Sequence, residues 1–420
     1  SFAYAALILI AYLVNDYLLI RSDSWYHAAV VSEFMARGLP PKEPFLADFS
    51  IRYMWFYHLF QAVWIKRSGL SIFHAMAFFN IINAFVFPYL TARFTSYFTN
   101  RKSAIVIGAL FAIAGLGSAS WVFFPTCLIR AFVGEVRGVA EIQRILAGVD
   151  INNSAVIHTL SPYGTWMVNL YDKFITITAF SYSFNLFLTS LVLVLNRQFM
   201  RESRAKSFIS LFVIILGTLL FHAITGIALV MTAIGSCVLM ILFGKYLVKD
   251  EKDLEGKYLL PTAAALAAAV GVPYIVSLGA GTDGNGGNLI SNHLHFGVRS
   301  IVTILLPLAV LFSPARAALS KLISRQDFRS AVLICWSSAL CIIAVIINLP
   351  TVNDSKLIFP LFLIIGPPIY IEIVEKIRNS SRVKRGLIIF SITVLFLVPS
   401  FLVFRGFIIQ EPDTDIESRR

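Results

Sequence analysis

Charge is what this chain has least of. Asp, Glu, Lys and Arg together make 14% of its 420 residues, against about 25% in an ordinary soluble domain. At that density a protein of this size cannot cover a water-facing surface, which excludes an ordinary soluble enzyme and a disordered chain. Cysteine is also scarce. Four residues do not make a disulfide framework, and Cys237, Cys335 and Cys341 lie inside apolar runs, where they read as small hydrophobes. Cys127 is the one loop candidate and has no evident partner. The Gly-rich stretch Gly279 to Gly287 lacks a following Lys-Ser or Lys-Thr, so it is not a phosphate loop. No repeat of solenoid length is visible.

What the chain has instead is apolar mass. Hydrophobic residues make 58% of it, and Phe alone occurs 36 times, as suits lipid-facing surface. The class that remains is an all-α, polytopic membrane protein. Apolar runs fall at about 1–20, 70–92, 103–121, 174–195, 207–222, 223–244, 258–279, 299–313, 330–348, 357–374 and 386–404, or about eleven transmembrane helices at roughly 20 residues per span. The segment 51–66 is apolar but short, contains Arg52, His58 and Gln61, and is followed by Lys66 and Arg67; it reads as an interfacial helix.

The net charge of +12 could suggest nucleic acid, but its distribution argues for membrane topology. Alternate connections carry Arg93, Arg101 and Lys102; then Arg197, Arg201, Arg204 and Lys206; then Lys245, Lys249, Lys252 and Lys257. Arg316, Lys321, Arg325 and Arg329 follow, and last Lys376, Arg378, Arg382, Lys384 and Arg385. The short connections between them, about 280–298 and 349–356, hold almost none. This is the positive-inside pattern. It places Ser1 inside and the tail after Arg405 outside, and counting 51–66 as a full span would reverse every later loop. The expected organisation is one transmembrane domain over 1–420 with two long outer loops, 21–69 and 122–173. Long loops among short connections usually carry function.

The first outer loop opens Arg21-Ser22-Asp23-Ser24-Trp25-Tyr26-His27. Apolar Val30, Val31, Phe34 and Met35 form one helical stripe and Gly38 is a stop signal, so a short amphipathic helix follows the first span. Pro40, Pro41 and Pro44 then impose an extended segment. Asp23, at the membrane–water boundary, could take a proton from a hydroxyl nucleophile or could cap the helix behind it. His27 lies one turn further on the same face, either facing substrate or packed beside Trp25 and Tyr26.

The second outer loop holds Glu135, Glu141, Asp150, His158, Tyr163, Trp166, Asp172 and Lys173. Asp172 stands just before the fourth span, where a helix cap or an exposed pair with Lys173 is the plainer alternative. His222 joins two apolar runs at the outer face; a histidine at membrane depth is a functional candidate or a satisfied turn residue. His293 and His295 are two residues apart, with no third ligand in view for zinc. Arg299 and Lys356 are nearly the only cations of the short outer connections. Each sits beside the start of a span, where it could neutralise a lipid-borne phosphate or snorkel to headgroups.

An acidic residue just after the first span, a surface helix ending in Gly, a Pro-containing segment and a second surface helix together resemble the membrane glycosyltransferases of the GT-C fold. These include protein O-mannosyltransferases, the lipid A aminoarabinose transferase and oligosaccharyltransferase catalytic subunits. Asp23 to His27 is the nearest local match, and Tyr53-Met54-Trp55-Phe56-Tyr57-His58 is similar to the segment where the family often has a Pro-Pro/Leu-Tyr-Tyr motif; the Pro pair is missing here. The resemblance implies Asp23 as catalytic base and Asp172 as a second acidic residue. It implies Tyr53, His58, His27, His158 and His222 around the substrate, with Lys356 and Arg299 on the donor phosphate.

The implied activity is inverting transfer of a sugar from a polyprenyl-phosphate carrier to a lipid, glycan or protein acceptor on the non-cytoplasmic face. No nucleic acid is expected. No clean Asp-x-Asp accompanies Asp23, so the metal site is unknown, with Mg2+ or Mn2+ as the ion to test. With 1–420 read as one transmembrane domain, no soluble domain is expected after the last span, an expectation that weighs against a full oligosaccharyltransferase unless the chain is truncated. Rival readings are an oligosaccharide transferase or polysaccharide polymerase or ligase, a transporter or flippase of lipid-linked substrates, and a non-catalytic scaffold.

Overall fold

The computed structural model describes residues 1–20, 24–51, 53–114, 170–249, 258–279, 312–346 and 355–394, with 401, 404 and 408. The first apolar run is interrupted: α1 (Phe2–Val14) ends at Asn15, whose side-chain oxygen accepts from the Tyr17 N–H at 3.1 Å, and α2 (Tyr17–Ile20) resumes the run. The helix expected over this stretch is α3 (Ser24–Arg37). It stops where the sequence says it should, because Gly38 takes φ +80° and returns its N–H to the Phe34 carbonyl. The Pro-rich stretch becomes a two-stranded antiparallel ribbon, β1 (Lys42–Glu43) and β2 (Leu46–Ser50), rather than a single extended segment.

The second helix of this loop, α4, runs Phe56–Ser68, several residues later than its apolar run suggests, and closes on Gly69 in the left-handed region. The remaining helices are α5 (Ile72–Ser96), α6 (Lys102–Ala114), α7 (Leu170–Ile175), α8 (Phe180–Leu195), α9 (Arg197–Glu202) and α10 (Arg204–Phe221). They continue with α11 (Ala223–Leu247), α12 (Leu259–Gly279), α13 (Phe312–Arg325), α14 (Phe328–Ile346), α15 (Ser355–Arg378) and α16 (Arg382–Ile392). Among the described residues four helices are long and apolar enough to cross a membrane: α5, α10, α11 and most of α12. Three shorter ones, α1, α8 and much of α14, are apolar as well. Of the expected run at 299–313, residues 299–311 lie outside the described residues.

Packing follows the period of the apolar residues. Leu211, Ile215 and Leu219 of α10 share one core with Leu229 and Ala233 of α11, Ala263 and Ala267 of α12, and Trp336 of α14. A second core joins Tyr4 and Ile8 of α1 to Phe87 of α5, Phe174 of α7 and Phe184 of α8. The turn between α10 and α11 is the tightest approach. A Cβ on Gly226 would sit 2.4 Å from the Leu219 Cα, so only glycine lets the two backbones meet there.

Several polar side chains inside the bundle bond one another, as a low-dielectric interior favours. Asn185 of α8 donates to the Asn83 side chain and carbonyl, each at 3.0 Å. Asn80 of α5 donates to the Tyr12 hydroxyl and the Thr176 carbonyl, both at 3.1 Å, and accepts from the Ser181 hydroxyl at 3.4 Å. Tyr12 in turn donates to the Ile175 carbonyl. This knot holds open the unwound residues 176–179 between α7 and α8, so the expected span at 174–195 is broken near its start.

The bundle has two chemically different ends. At one, Lys321 of α13 bonds Glu372 and Glu375 of α15 at 2.7 and 2.9 Å, with Arg101 3.4 Å from Glu375. The Arg329 guanidinium lies over Tyr97, Arg197 lies over Phe328, and the Lys249 N–H donates to the Gln326 carbonyl. All five basic connections therefore contribute to one end. The opposite end carries α3, the ribbon and α4.

Candidate functional site

The aromatic segment 53–60 places the candidate site. The rings of α4 meet the far ends of the long helices: Phe56 touches Phe221 of α10, Phe60 touches Phe79 of α5, and Tyr57 touches Tyr182 of α8. The Phe56 N–H donates to the Tyr274 hydroxyl of α12 at 3.3 Å, which satisfies one of the helix's early backbone donors. The sulfur of Met54 receives the Ala223 N–H at 3.1 Å, tying the entry of α4 to the start of α11. Thus α4 lies across the end of the bundle rather than running its length.

Between α3 and α4 sit two of the expected residues. His27 and His58, both fully buried, join Nδ1 to Nε2 at 2.6 Å. Their rings are nearly coplanar at 17°, with centroids 4.9 Å apart. Tyr53 completes the group, its ring 5.6 Å from His27 and 5.1 Å from Tyr26. Tyr57 stands edge-on to both histidines, and Tyr26 donates to Glu43 of the ribbon at 2.9 Å. Burial and the neighbouring His27 hold the His58 imidazole well below the ordinary histidine range, opposed by the Met54 and Trp55 carbonyls. Burial and the Glu43 hydrogen bond push the Tyr26 phenol far up, so it stays protonated as a donor. At neutral pH the His58 imidazole and the Tyr26 phenol are thus uncharged.

His222 lies apart from the pair. It caps α11, its Nδ1 accepting from the Thr225 N–H at 3.2 Å and meeting the Thr225 hydroxyl at 2.9 Å, and its ring packs edge-on against Phe180. That is the turn role weighed for it in the sequence. Asp172 falls within α7, immediately before the unwound residues, and Lys356 falls in the first turn of α15. Asp23, His158 and Arg299 lie outside the described residues, and so do His293 and His295. Among the described residues no group of three His, Cys, Asp or Glu side chains is placed to hold a metal ion.

Sequence reading overlooked Glu43, Gln61 and Tyr182. Gln61 donates to the Tyr182 hydroxyl at 3.2 Å, linking α4 to α8. Its spacing from His58 on α4 is the signal that was there to find, since residues three apart share a helix face.

No known family profile matches the chain, and no curated protein matches it in sequence. Solved structures do match. The oligosaccharyltransferase of Archaeoglobus fulgidus in its apo form superimposes over 99% of this chain with a TM-score of 0.54 at 11% identity. The apo ArnT of Cupriavidus metallidurans covers 88% with a TM-score of 0.44 at 14% identity. The Archaeoglobus enzyme with an inhibitory peptide and a dolichol-phosphate covers 99% with a TM-score of 0.42 at 11% identity. The chain spans 57% of the length of each of these proteins. The first comparison establishes the fold: the helical architecture of the GT-C membrane glycosyltransferases, as the sequence led us to expect. With its apolar helices, this makes the chain an integral membrane protein.

Proposed function

We propose that the chain is a GT-C glycosyltransferase that takes a sugar from a polyprenyl-phosphate carrier and passes it to an acceptor at the non-cytoplasmic face. The observation that carries the proposal is the likeness in fold to an oligosaccharyltransferase along nearly the whole chain. The concentration of aromatic and imidazole groups at the end opposite the basic connections supports it. Eleven spans, with α3 and α4 as juxtamembrane helices, complete the reading. On the positive-inside rule the basic end faces the cytoplasm, leaving the His27–His58 end outside, where a lipid-borne sugar meets water.

In this reading Asp23 removes the acceptor proton as the acceptor oxygen attacks the anomeric carbon and the lipid phosphate departs, inverting the centre. Asp172 is the second acidic residue, on a helix held by the Asn80 knot. Lys356 and Arg299 neutralise the departing phosphate, where charge builds in the transition state. Tyr53, His58, His27, His158 and His222 bound the sugar and acceptor side. The divisions at 21–69 and 122–173 are the loops that form this face. If a divalent cation takes part, Mg2+ or Mn2+ supplies charge neutralisation at the phosphate.

A donor panel tests the class. Purified protein is incubated with radiolabelled polyprenyl-phosphate sugars and a membrane extract, with and without added Mg2+ or Mn2+. Label leaving at least one donor for an acceptor supports the proposal. Label that stays on every donor, or moves across a sealed vesicle without changing chemical form, would replace it with the transporter reading.

A further inference from the structure

We propose that Arg93 and Arg329, set against the Tyr97 ring at the basic end of the bundle, bind the phosphate of an anionic phospholipid whose chain lies along α5. The site is independent of the transfer chemistry proposed above. Arg93 stands in the last turn of α5 and Arg329 in the first turn of α14. Their guanidinium carbons lie 5.2 and 4.9 Å from the Tyr97 ring centroid, so two positive charges share one phenol. Like charges gathered that closely repel unless something negative joins them. Among the described residues no carboxylate forms an ion pair with either arginine. The acids of this end have other partners. Asp327 lies 3.9 Å from Arg325 and accepts the Ser330 N–H at 2.7 Å. Glu372 and Glu375 hold Lys321, and Glu375 also meets Arg101.

Capping of α5 accounts for part of the arrangement. Arg329 Nη1 donates to the Tyr97 carbonyl at 3.3 Å and Arg325 Nη2 to the Phe98 carbonyl at 3.5 Å, as cations at a helix C-terminus do. It does not account for Arg93, which is exposed and whose guanidinium meets the Tyr97 phenol. The surface that leads to Arg93 is apolar. Phe78, Ile82, Phe85 and Tyr89 are all exposed and recur at helical spacing, so with Arg93 they line one face of α5. That helix is long and apolar enough to cross a membrane, which puts this face against lipid. A phospholipid fits both parts. Its acyl chain lies on the stripe, and its phosphate reaches the two guanidinium forks, whose paired donors match phosphate oxygens. The ligand then ties the end of α5 to the start of α14.

Lipid titration of the full chain in detergent, read by native mass spectrometry, needs no transfer activity. Phosphatidylglycerol should bind the wild type at least about tenfold more tightly than phosphatidylcholine, whose own choline neutralises its phosphate. The variant R93Q/R329Q should erase that preference. R93K/R329K keeps both charges without the forks and should lose part of it. R382Q/K384Q removes two charges from exposed positions of α16 at the same end and should keep all of it. Equal binding of the two lipids by the wild type would overturn the proposal without recourse to any variant. So would a preference that survives in R93Q/R329Q, or one that R382Q/K384Q loses as fully, which would mark a diffuse surface charge. Inorganic phosphate at matched concentration should leave the lipid bound. Its displacing the lipid would overturn the lipid assignment in favour of a soluble phosphate ligand.

Discussion

Asn80→Leu should loosen the break that precedes α8. The side chain makes three hydrogen bonds: to the Tyr12 hydroxyl, to the Thr176 carbonyl and from the Ser181 hydroxyl. Side-chain hydrogen bonds within membrane bundles average about 0.6 kcal/mol, and in soluble proteins about 1 kcal/mol. Three of them come to about 2–3 kcal/mol. Leucine fills a similar volume, so little cavity cost enters. The expected loss is therefore about 2–3 kcal/mol. With about 2 cal/mol/K of unfolding entropy per residue, that is a fall of about 3 °C in melting temperature for a chain of this length. Thermal unfolding in detergent, followed by size exclusion, measures it. Ile82→Ala, on an exposed part of the same helix, should change stability by less than about 0.5 kcal/mol as a control. An Asn80→Leu protein that melts with the wild type would show that the network does not hold residues 176–179 in place.

Four other outcomes follow from the same geometry. Gly226→Val should abolish monodisperse protein, because the new side chain meets the Leu219 backbone at 2.4 Å, where neither helix can give; recovery at wild-type yield would contradict that packing. Gly38→Ala should lower stability by about 1 kcal/mol through its φ of +80°, seen in the same melting assay. Lys321→Met breaks contacts to Glu372 and Glu375 at an exposed site; its cost should stay under about 1 kcal/mol and fade in high salt, and a larger, salt-insensitive loss would refute the assignment. The melting temperature should fall as pH drops below about 6.5. His58 binds its proton less readily folded than unfolded, so its share of stability is present above that pH and is lost towards its lowered folded value. His58→Phe should flatten that dependence.

The helical fold and the gathering of basic connections at one end were legible because they rest on composition and charge. Membrane spans need apolar length, and the basic residues mark alternate connections; the structure gathers Arg101, Arg197, Lys249, Lys321 and Arg329 at one end. Gly38 stops α3 by a conformation that glycine adopts freely, so that boundary was readable locally. The break before α8 was not. Thr176 to Ala179 contains neither Pro nor Gly, and what unwinds it are partners on α1 and α5, about a hundred and more residues away in sequence. The same holds for the site. His27 and His58 were readable as separate candidates, but they stand 31 positions apart with a ribbon between them, and no spacing rule pairs residues across such a loop. The late start of α4 has a similar cause: Met54 is engaged with Ala223 and the Phe56 N–H with Tyr274, so tertiary contacts set the helix end.

The most direct test of the account compares initial rates of sugar transfer by the wild type and by Asp23→Asn, using whichever polyprenyl-phosphate donor the panel identifies. Folding of the variant is checked by its elution and melting temperature. The account predicts a folded variant whose rate falls by at least about a hundredfold, within the range a positioned general base contributes. A folded Asp23→Asn protein that transfers sugar at the wild-type rate would contradict the assigned chemistry and leave Asp23 as the cap of α3.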